Sequence, residues 1–218
     1  MYFEVMFFDL DETLYPSSTG IWEAIGVRMD AYIIDNLGIK VNDVSAFREN
    51  LFQHYGTTLR GLREEYGIDE NEFLAFVHDI PLGQYLEVDP ILTDVLERLP
   101  SHKVIFTNAD TNHAMRVLQM LGVKSFFNQV IDIHSIHPYC KPMVEAFQLA
   151  LQAADVSVPA NCVMIDDNVR NLRVAHDLGM YTIRVGTAER SGFIDAAIPS
   201  IHDLPLVIPV TRQSSPNV

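Results

Sequence analysis

The chain of 218 residues has only two cysteines, Cys140 and Cys162, and one tryptophan, Trp22. Two cysteines supply no disulfide framework, so a fold stapled by disulfides is excluded and a reduced, cytoplasmic protein is the expectation. Basic residues are also scarce, 15 Lys and Arg against 29 Asp and Glu, and the formal net charge is −14. Polymeric nucleic acid and anionic membrane both demand a basic footprint, so neither is expected as a partner. A small phosphate ester stays open, because a few local cations and a metal suffice for it. No run of 18 apolar residues exists to cross a membrane, and the N-terminus lacks the basic, apolar, then small-residue succession of a signal peptide. Repeats and low-complexity segments are missing too. The eight histidines show no ligand spacing. His134 and His137 lie three apart but flank a strand end before Pro138, which does not suit zinc. Cys140 abuts Lys141, a cation able to lower its pKa, yet no His-Asp or His-Asn order accompanies it as a nucleophile would need.

What is present is ample core material, 48% hydrophobic residues, in a length that suits one large domain or a core with a small second unit. The apolar run Val5 to Phe8 is a buried strand by its length and polar borders. From about Leu14 to Asp89 the periodicity is helical, with Trp22, Ile25, Met29, Tyr32 and Ile33 on one repeat and Val44, Phe47, Leu51 and Tyr55 on another. Asp69 and Glu72 form a candidate capping box before Phe73, Phe76 and Val77. The second half alternates. Asp89-Pro90 opens a helix through Leu99, Val104 to Phe106 is a strand, and a helix with Ala114, Val117, Leu118 and Leu121 stops at Gly122. Val130 to Ile133 is a strand, Lys141-Pro142 starts a helix, and Cys162 to Ile165 is a strand. Asn168 caps a helix ending at Gly179, and Tyr181 to Val185 is the fifth strand. Strands alternating with helices predict an α/β fold with a parallel sheet covered on both faces. The polar segment Thr211 to Val218 is expected to fray.

Four features fall on the edge of that sheet formed by the carboxyl ends of its strands, where ligands bind in open α/β sheets. They are Asp9, Asp11 and Thr13 after the first strand, Thr107-Asn108, Lys141, and Asp166-Asp167. Each has a plain structural role: helix capping for Thr107 and Asn108, a solvated lysine for Lys141, and favourable helix-dipole placement for the acidic pair. Their joint occurrence in this order, each after its own strand or turn, favours a site. Asp9 and Asp11 repel, and either a divalent cation or a retained proton offsets that. Phosphate monoesters hydrolyse extremely slowly unaided, so a site for them must neutralise phosphoryl oxygens and align a nucleophile. Mg²⁺ is commonly held by one or two carboxylates plus the substrate phosphate, and Asp9 and Asp166 would supply these from adjacent strands. Lys141 would add a cation and Thr107 a hydroxyl donor.

Asp9-x-Asp11-x-Thr13, Thr107-Asn108, Lys141-Pro142 and Asp166-Asp167 resemble the four signature motifs of the haloacid dehalogenase superfamily, across nearly the whole chain. The resemblance implies a Rossmann-like core formed by residues 1–13 and 90–210, an all-helical cap inserted over 14–89, and a flexible tail over 211–218. It implies that Asp9 is the nucleophile of an aspartyl-phosphate mechanism and that Asp11 is the general acid and then base. Mg²⁺ would be held by Asp9, the Asp11 backbone carbonyl and Asp166, with Asp167 as a further ligand or an outer neighbour. Thr107, Asn108 and Lys141 would contact phosphate. One departure stands out: many relatives place a second acid where Asn171 lies, and the adjacent Asp167 is a variant that the family accepts.

Dehalogenases of this family lack an acid at the Asp11 position, so the resemblance favours phosphoryl transfer, by hydrolysis or by a phosphomutase. Asp9 to Pro16, Tyr55 to Leu62 and Ala196 to Pro205 are similar to stretches of the pyrimidine 5′-nucleotidases. That implies a nucleoside 5′-monophosphate as the small phosphate-ester substrate, pyrimidine before purine, with a phosphoglycolate-like ester as the alternative. Thr57 to Arg60, with Tyr15, would border the leaving group, Arg60 being equally a solvated helix arginine. Monomer and homodimer stay open.

Overall fold

The computed structural model describes residues 3–99, 101–190 and 192–208. The expected tail, 211–218, lies outside them. Six parallel strands form one sheet in the order β3-β2-β1-β4-β5-β6. They are β1 (Val5–Phe8), β2 (His102–Phe106), β3 (Gln129–Ile131), β4 (Cys162–Asp166), β5 (Tyr181–Val185) and β6 (Ala196–Ile198). Every residue of β1 and β4 is buried, as two-sided coverage of a parallel sheet requires. The α/β expectation holds.

Between β1 and the helix α5 (Pro90–Arg98) the chain is helical: α1 (Ile21–Leu37), α2 (Val44–Tyr55), α3 (Thr58–Tyr66) and α4 (Glu70–Val77). Ile25, Tyr32 and Ile33 of α1 are buried, whereas Trp22 is 44% exposed. Ile21, not Trp22, fills the inward position of the first turn. Tyr32 meets Phe73 of α4 edge to face at 5.0 Å, a geometry that rings favour. Gly61 lets α3 lie against α2, because a Cβ there would stand 2.8 Å from Leu51 Cβ. Asp69 caps α4 by accepting from the Glu72 N–H.

Among the described residues the remaining α-helices are α6 (Thr111–Met120), α7 (Val144–Ala153) and α8 (Val169–Asp177). Asn168 caps α8, as its sequence position predicts, accepting from the Arg170 N–H. Two expectations need correction, and one strand is unforeseen. The third strand is Gln129–Ile131, because Asp132 turns its carboxylate to the N–H groups of Thr111 and Ser135 and takes the chain out of the ladder. Lys141-Pro142 does not start α7, which begins at Val144. The Lys141 N–H and C=O are both bonded to the Asn108 side chain instead. The sixth strand carries no periodic signal, since it is three residues long. It is aligned beside β5 by Asp195, whose carboxylate accepts from the Thr182 N–H and hydroxyl. Cys140 and Cys162 are free and buried. Among the described residues no helix is long and apolar enough to cross a membrane.

Candidate active site

Parallel pairing sets β1 beside both β2 and β4, with Phe8 opposite Ile165. The next residues, Asp9 and Asp166, therefore emerge side by side at the same sheet edge. Lys141 reaches them from the turn before α7. Its Nζ donates to Asp9 Oδ1 at 2.7 Å, to Asp166 Oδ2 at 3.1 Å and to the Phe106 carbonyl at 2.7 Å. It is 2% exposed. Burial alone would depress this ammonium, but Asp166 and Asp9 outweigh it and keep the group protonated above the ordinary lysine range. A buried cation with three acceptors is paired as burial demands.

One further carboxylate, Asp167, completes the acidic side. Asp9, Asp166 and Asp167 each present an oxygen within 4.8 Å of the others. Burial pushes the Asp9 carboxyl well above its usual value in spite of Lys141. Asp167 is pushed up to about 7, first by burial and then by the charge of Asp166. Thr13 Oγ1 accepts the Asp167 N–H at 3.1 Å and lies 3.5 Å from Asp9 Oδ2, so it ties β1 to β4 beyond the sheet. Asn171 donates to both oxygens of Asp166, at 3.1 and 2.9 Å. A carboxylate in its place would oppose Asp166 with like charge. Its amide orients Asp166 and leaves Asp167 as the third acid.

Three acids facing one ammonium leave excess negative charge, and all donors are hard oxygens. That chemistry fits a hard divalent cation such as Mg²⁺, with Asp9, Asp166 and Asp167 as the residues to hold it. A consequence follows for stability. Asp167 has its folded pKa above its unfolded one, so its contribution is present below about pH 4 and is lost as pH rises toward 7. Mg²⁺ held there would relieve that repulsion. The rise in melting temperature on adding Mg²⁺ to metal-free protein is therefore expected to be larger at pH 8 than at pH 5.5, as thermal unfolding in each buffer would register. An equal rise at both would remove Asp167 from the metal-linked set.

Asp11 stands apart from this cluster. Its Oδ1 accepts from Tyr15 Oη at 2.5 Å and pairs with His113 Nε2 at 2.9 Å. Burial raises the Asp11 carboxyl, but His113 and Tyr15 outweigh it and hold the group below its ordinary value. His113 carries no metal-type spacing. Its one sequence signal is a polar residue on the face of α6 that Ala114, Val117 and Leu118 bury.

Of the remaining expected residues, Thr107 is buried and its Oγ1 accepts the Ala109 N–H at 3.0 Å. Asn108 spends its carboxamide on Lys141, with Nδ2 donating to the carbonyl and Oδ1 accepting the N–H. Arg60 turns Nη1 to the Tyr55 carbonyl at 3.2 Å, and among the described residues it makes no bond to Asp9 or Asp11. The loop before it does reach the site: the Cys140 thiol donates to the Tyr55 carbonyl at 3.5 Å. A Cβ on Gly56, which has φ +87°, would meet Cys140 Sγ and Pro142 Cδ at 3.3 Å. Only glycine takes that conformation and that approach together. Burial raises the Cys140 thiol pKa, opposite to the shift a nucleophilic cysteine needs.

The family model for haloacid dehalogenase-like hydrolases matches residues 3–179. Phosphate metabolism protein 8 of Saccharomyces cerevisiae is 31% identical over 191 residues, which is 81% of this chain and 60% of that protein. The chain thus spans about three fifths of that relative's length. CbbY of Rhodobacter sphaeroides, solved in complex with phosphate, superposes with a TM-score of 0.66 at 18% identity, over 93% of this chain and 96% of that one. The HAD hydrolase YfnB of Bacillus subtilis, solved with magnesium, has a TM-score of 0.63 at 16% identity, over 95% and 99%. These two likenesses concern the fold. With the family model covering most of the sequence and the strand-end acids and lysine gathered at one sheet edge, the chain belongs to the haloacid dehalogenase-like hydrolases.

Proposed function

We propose that this protein is a Mg²⁺-dependent phosphomonoester hydrolase that works through an aspartyl-phosphate on Asp9. The observation that carries this reading is the division of labour between a buried acid and a partly buried one two residues apart. Asp9 is paired to the Lys141 ammonium, while Asp11 is held by the proton donors Tyr15 and His113. Lys141 places one carboxylate to attack, and the donors on the other orient it to move a proton. The resting shifts, up for Asp9 and down for Asp11, are the reverse of what those roles need, and the charges of bound Mg²⁺ and of the arriving phosphoryl group would have to invert them. The name of the yeast relative, which places that protein in phosphate metabolism, points the same way.

In this mechanism a carboxylate oxygen of Asp9 forms a bond to phosphorus as the bond from phosphorus to the leaving oxygen breaks. Asp11 gives its proton to that oxygen, and the alcohol departs. The negative phosphoryl group raises the proton affinity of Asp11 on arrival. Water then attacks phosphorus, Asp11 takes the water's proton, and the bond from phosphorus to Asp9 breaks to release phosphate. Lys141 balances charge on Asp9 and on the phosphoryl oxygens, and Thr107 offers its hydroxyl proton to them. Bound Mg²⁺ would supply further neutralisation of the phosphoryl oxygens.

Residues 1–13 and 90–210 form the catalytic core in this reading, and 14–89 form a helical cap. The seating of Tyr55 and Gly56 on the Cys140–Pro142 turn supports a cap that closes on the phosphate side. The substrates are nucleoside 5′-monophosphates, pyrimidine before purine. Tyr15 and Pro199 to His202, from two of the stretches shared with pyrimidine 5′-nucleotidases, line one cleft of about 830 Å³ that reaches Asp167, a volume suited to a small ligand. The direct test is phosphate release from UMP, CMP, AMP, glycolate phosphate and glucose phosphates, with and without Mg²⁺. Mg²⁺-dependent cleavage led by UMP or CMP is expected. Preference for glycolate phosphate would keep the chemistry and replace the substrate. No release from any ester would overturn the reading.

A further inference from the structure

His113 and His78 form a buried assembly behind Asp11 that the steps above do not use. The His113 side chain is fully buried (0% exposed). Its ring stacks on His78 with centroids 4.1 Å apart and planes 20° from parallel. His78 Nδ1 lies 2.7 Å from Asp110 Oδ2, and Asp110 Oδ1 accepts the His113 backbone N–H at 2.8 Å. One carboxylate therefore fixes both the root of His113 and the ring that covers it. Arg116 holds the segment carrying His78, donating to the carbonyls of His78 and Ile80 at 2.8 and 2.6 Å. His113 Nδ1 has no partner among the described residues. Asp11 Oδ1, already engaged by Tyr15, accepts from the ring, so hydrogen bonding assigns an N–H to His113 Nε2, directed at Asp11.

Two donors converge on a single oxygen of Asp11. Tyr15 Oη and His113 Nε2 both engage Oδ1, and among the described residues Oδ2 makes no hydrogen bond. We propose that His113 is a positioning residue that, together with Tyr15, pins Oδ1 of Asp11 so that Oδ2 is the oxygen that exchanges the proton with the leaving group. The proposal rests on the phosphomonoester reading. It also links the two parts of the chain, since His78 follows α4 and His113 lies on α6. The histidine pair braces the acid from the helical segment as well as from the sheet side.

The test exploits leaving-group chemistry. An alkyl ester needs a proton on its departing oxygen, whereas p-nitrophenyl phosphate releases a stable phenolate and needs almost none. kcat/KM reports the chain of steps through departure of the leaving group and excludes the later hydrolysis of the aspartyl-phosphate. His113→Phe keeps the ring and its stack but removes the donor. It is expected to lower kcat/KM for the best-cleaved alkyl ester of the panel by roughly 30- to 100-fold, and for p-nitrophenyl phosphate by less than about 3-fold. His113→Gln, whose amide can again donate toward Asp11, is expected to recover most of the loss. Should His113→Phe fail to fold, His113→Asn, with an amide too short to reach Asp11, carries the same comparison. Equal losses for both esters, or no loss for either, would overturn the positioning role while leaving the phosphatase reading intact. A wild-type protein that cleaves neither ester would overturn both.

Discussion

Asp9→Asn is expected to lower phosphate release by at least ~10³-fold, the scale on which losing a covalent nucleophile acts, while leaving the melting temperature unchanged or raised. The loss follows from the proposed mechanism: the amide cannot form the bond to phosphorus that the carboxylate would form. The unchanged fold follows from the site. Asp9 is fixed by its backbone, whose N–H donates to the Ile165 carbonyl at 2.9 Å, and asparagine has nearly the same shape. Its charge is costly where it sits, since burial and the nearby Asp166 and Asp167 all oppose it. Removing that charge leaves Lys141 still paired with Asp166. Phosphate assays beside thermal unfolding separate the two effects. Full activity in the variant would exclude Asp9 as nucleophile, and a collapsed melting transition would make it a structural ion-pair partner.

Most of the frame was legible because parallel strands announce themselves as short apolar runs, and because an open parallel sheet collects its carboxyl ends on one edge. That topology brings Asp9, Thr107 and Asp166 together from three separate strands without any need to know a contact. What stayed hidden depends on side chains that replace local rules. Pro142 reads as a helix start, yet the Asn108 carboxamide claims both polar groups of the Lys141 backbone, and the helix waits until Val144. Val130 to Ile133 reads as one strand, yet Asp132 within it bonds to Thr111 and Ser135. β6 has two alanines in three residues and is held by Asp195 across the chain reversal. His113 is the instructive case for the site. Its partner Asp11 is 102 positions away, and helical periodicity shows only that a polar ring lies on an apolar face. A polar residue on a buried face must find a partner, but only the fold says which one.

Lys141→Met is expected to damage both stability and turnover, and the two losses have different pH signatures. The ammonium makes three bonds, two of them to buried carboxylates, and breaking a buried pair by deleting one partner costs about 3–5 kcal/mol. Protonation limits that cost. Asp9 already has a raised pKa, and without Lys141 it rises further, so at low pH a proton takes over as the neutralising charge. A carboxyl whose folded pKa exceeds its unfolded value contributes stability at low pH that is lost as pH climbs through the folded value. The melting temperature of metal-free Lys141→Met should thus fall little below wild type at pH 5 and much more at pH 8. Mg²⁺ should restore part of the deficit at pH 8, because it supplies positive charge to the same acids. Activity should not return with it. Lys141 Nζ bridges Asp9, Asp166 and the Phe106 carbonyl of β2, and Mg²⁺ held by the three acids is not expected to replace the ammonium at the Phe106 carbonyl. A loss of roughly 10²- to 10³-fold is expected to persist at saturating Mg²⁺, the size seen when one preorganised donor to a transition-state charge is removed. Turnover rescued in step with stability would reduce Lys141 to a counter-ion, whereas stability rescued alone would assign the ammonium to the phosphoryl group itself.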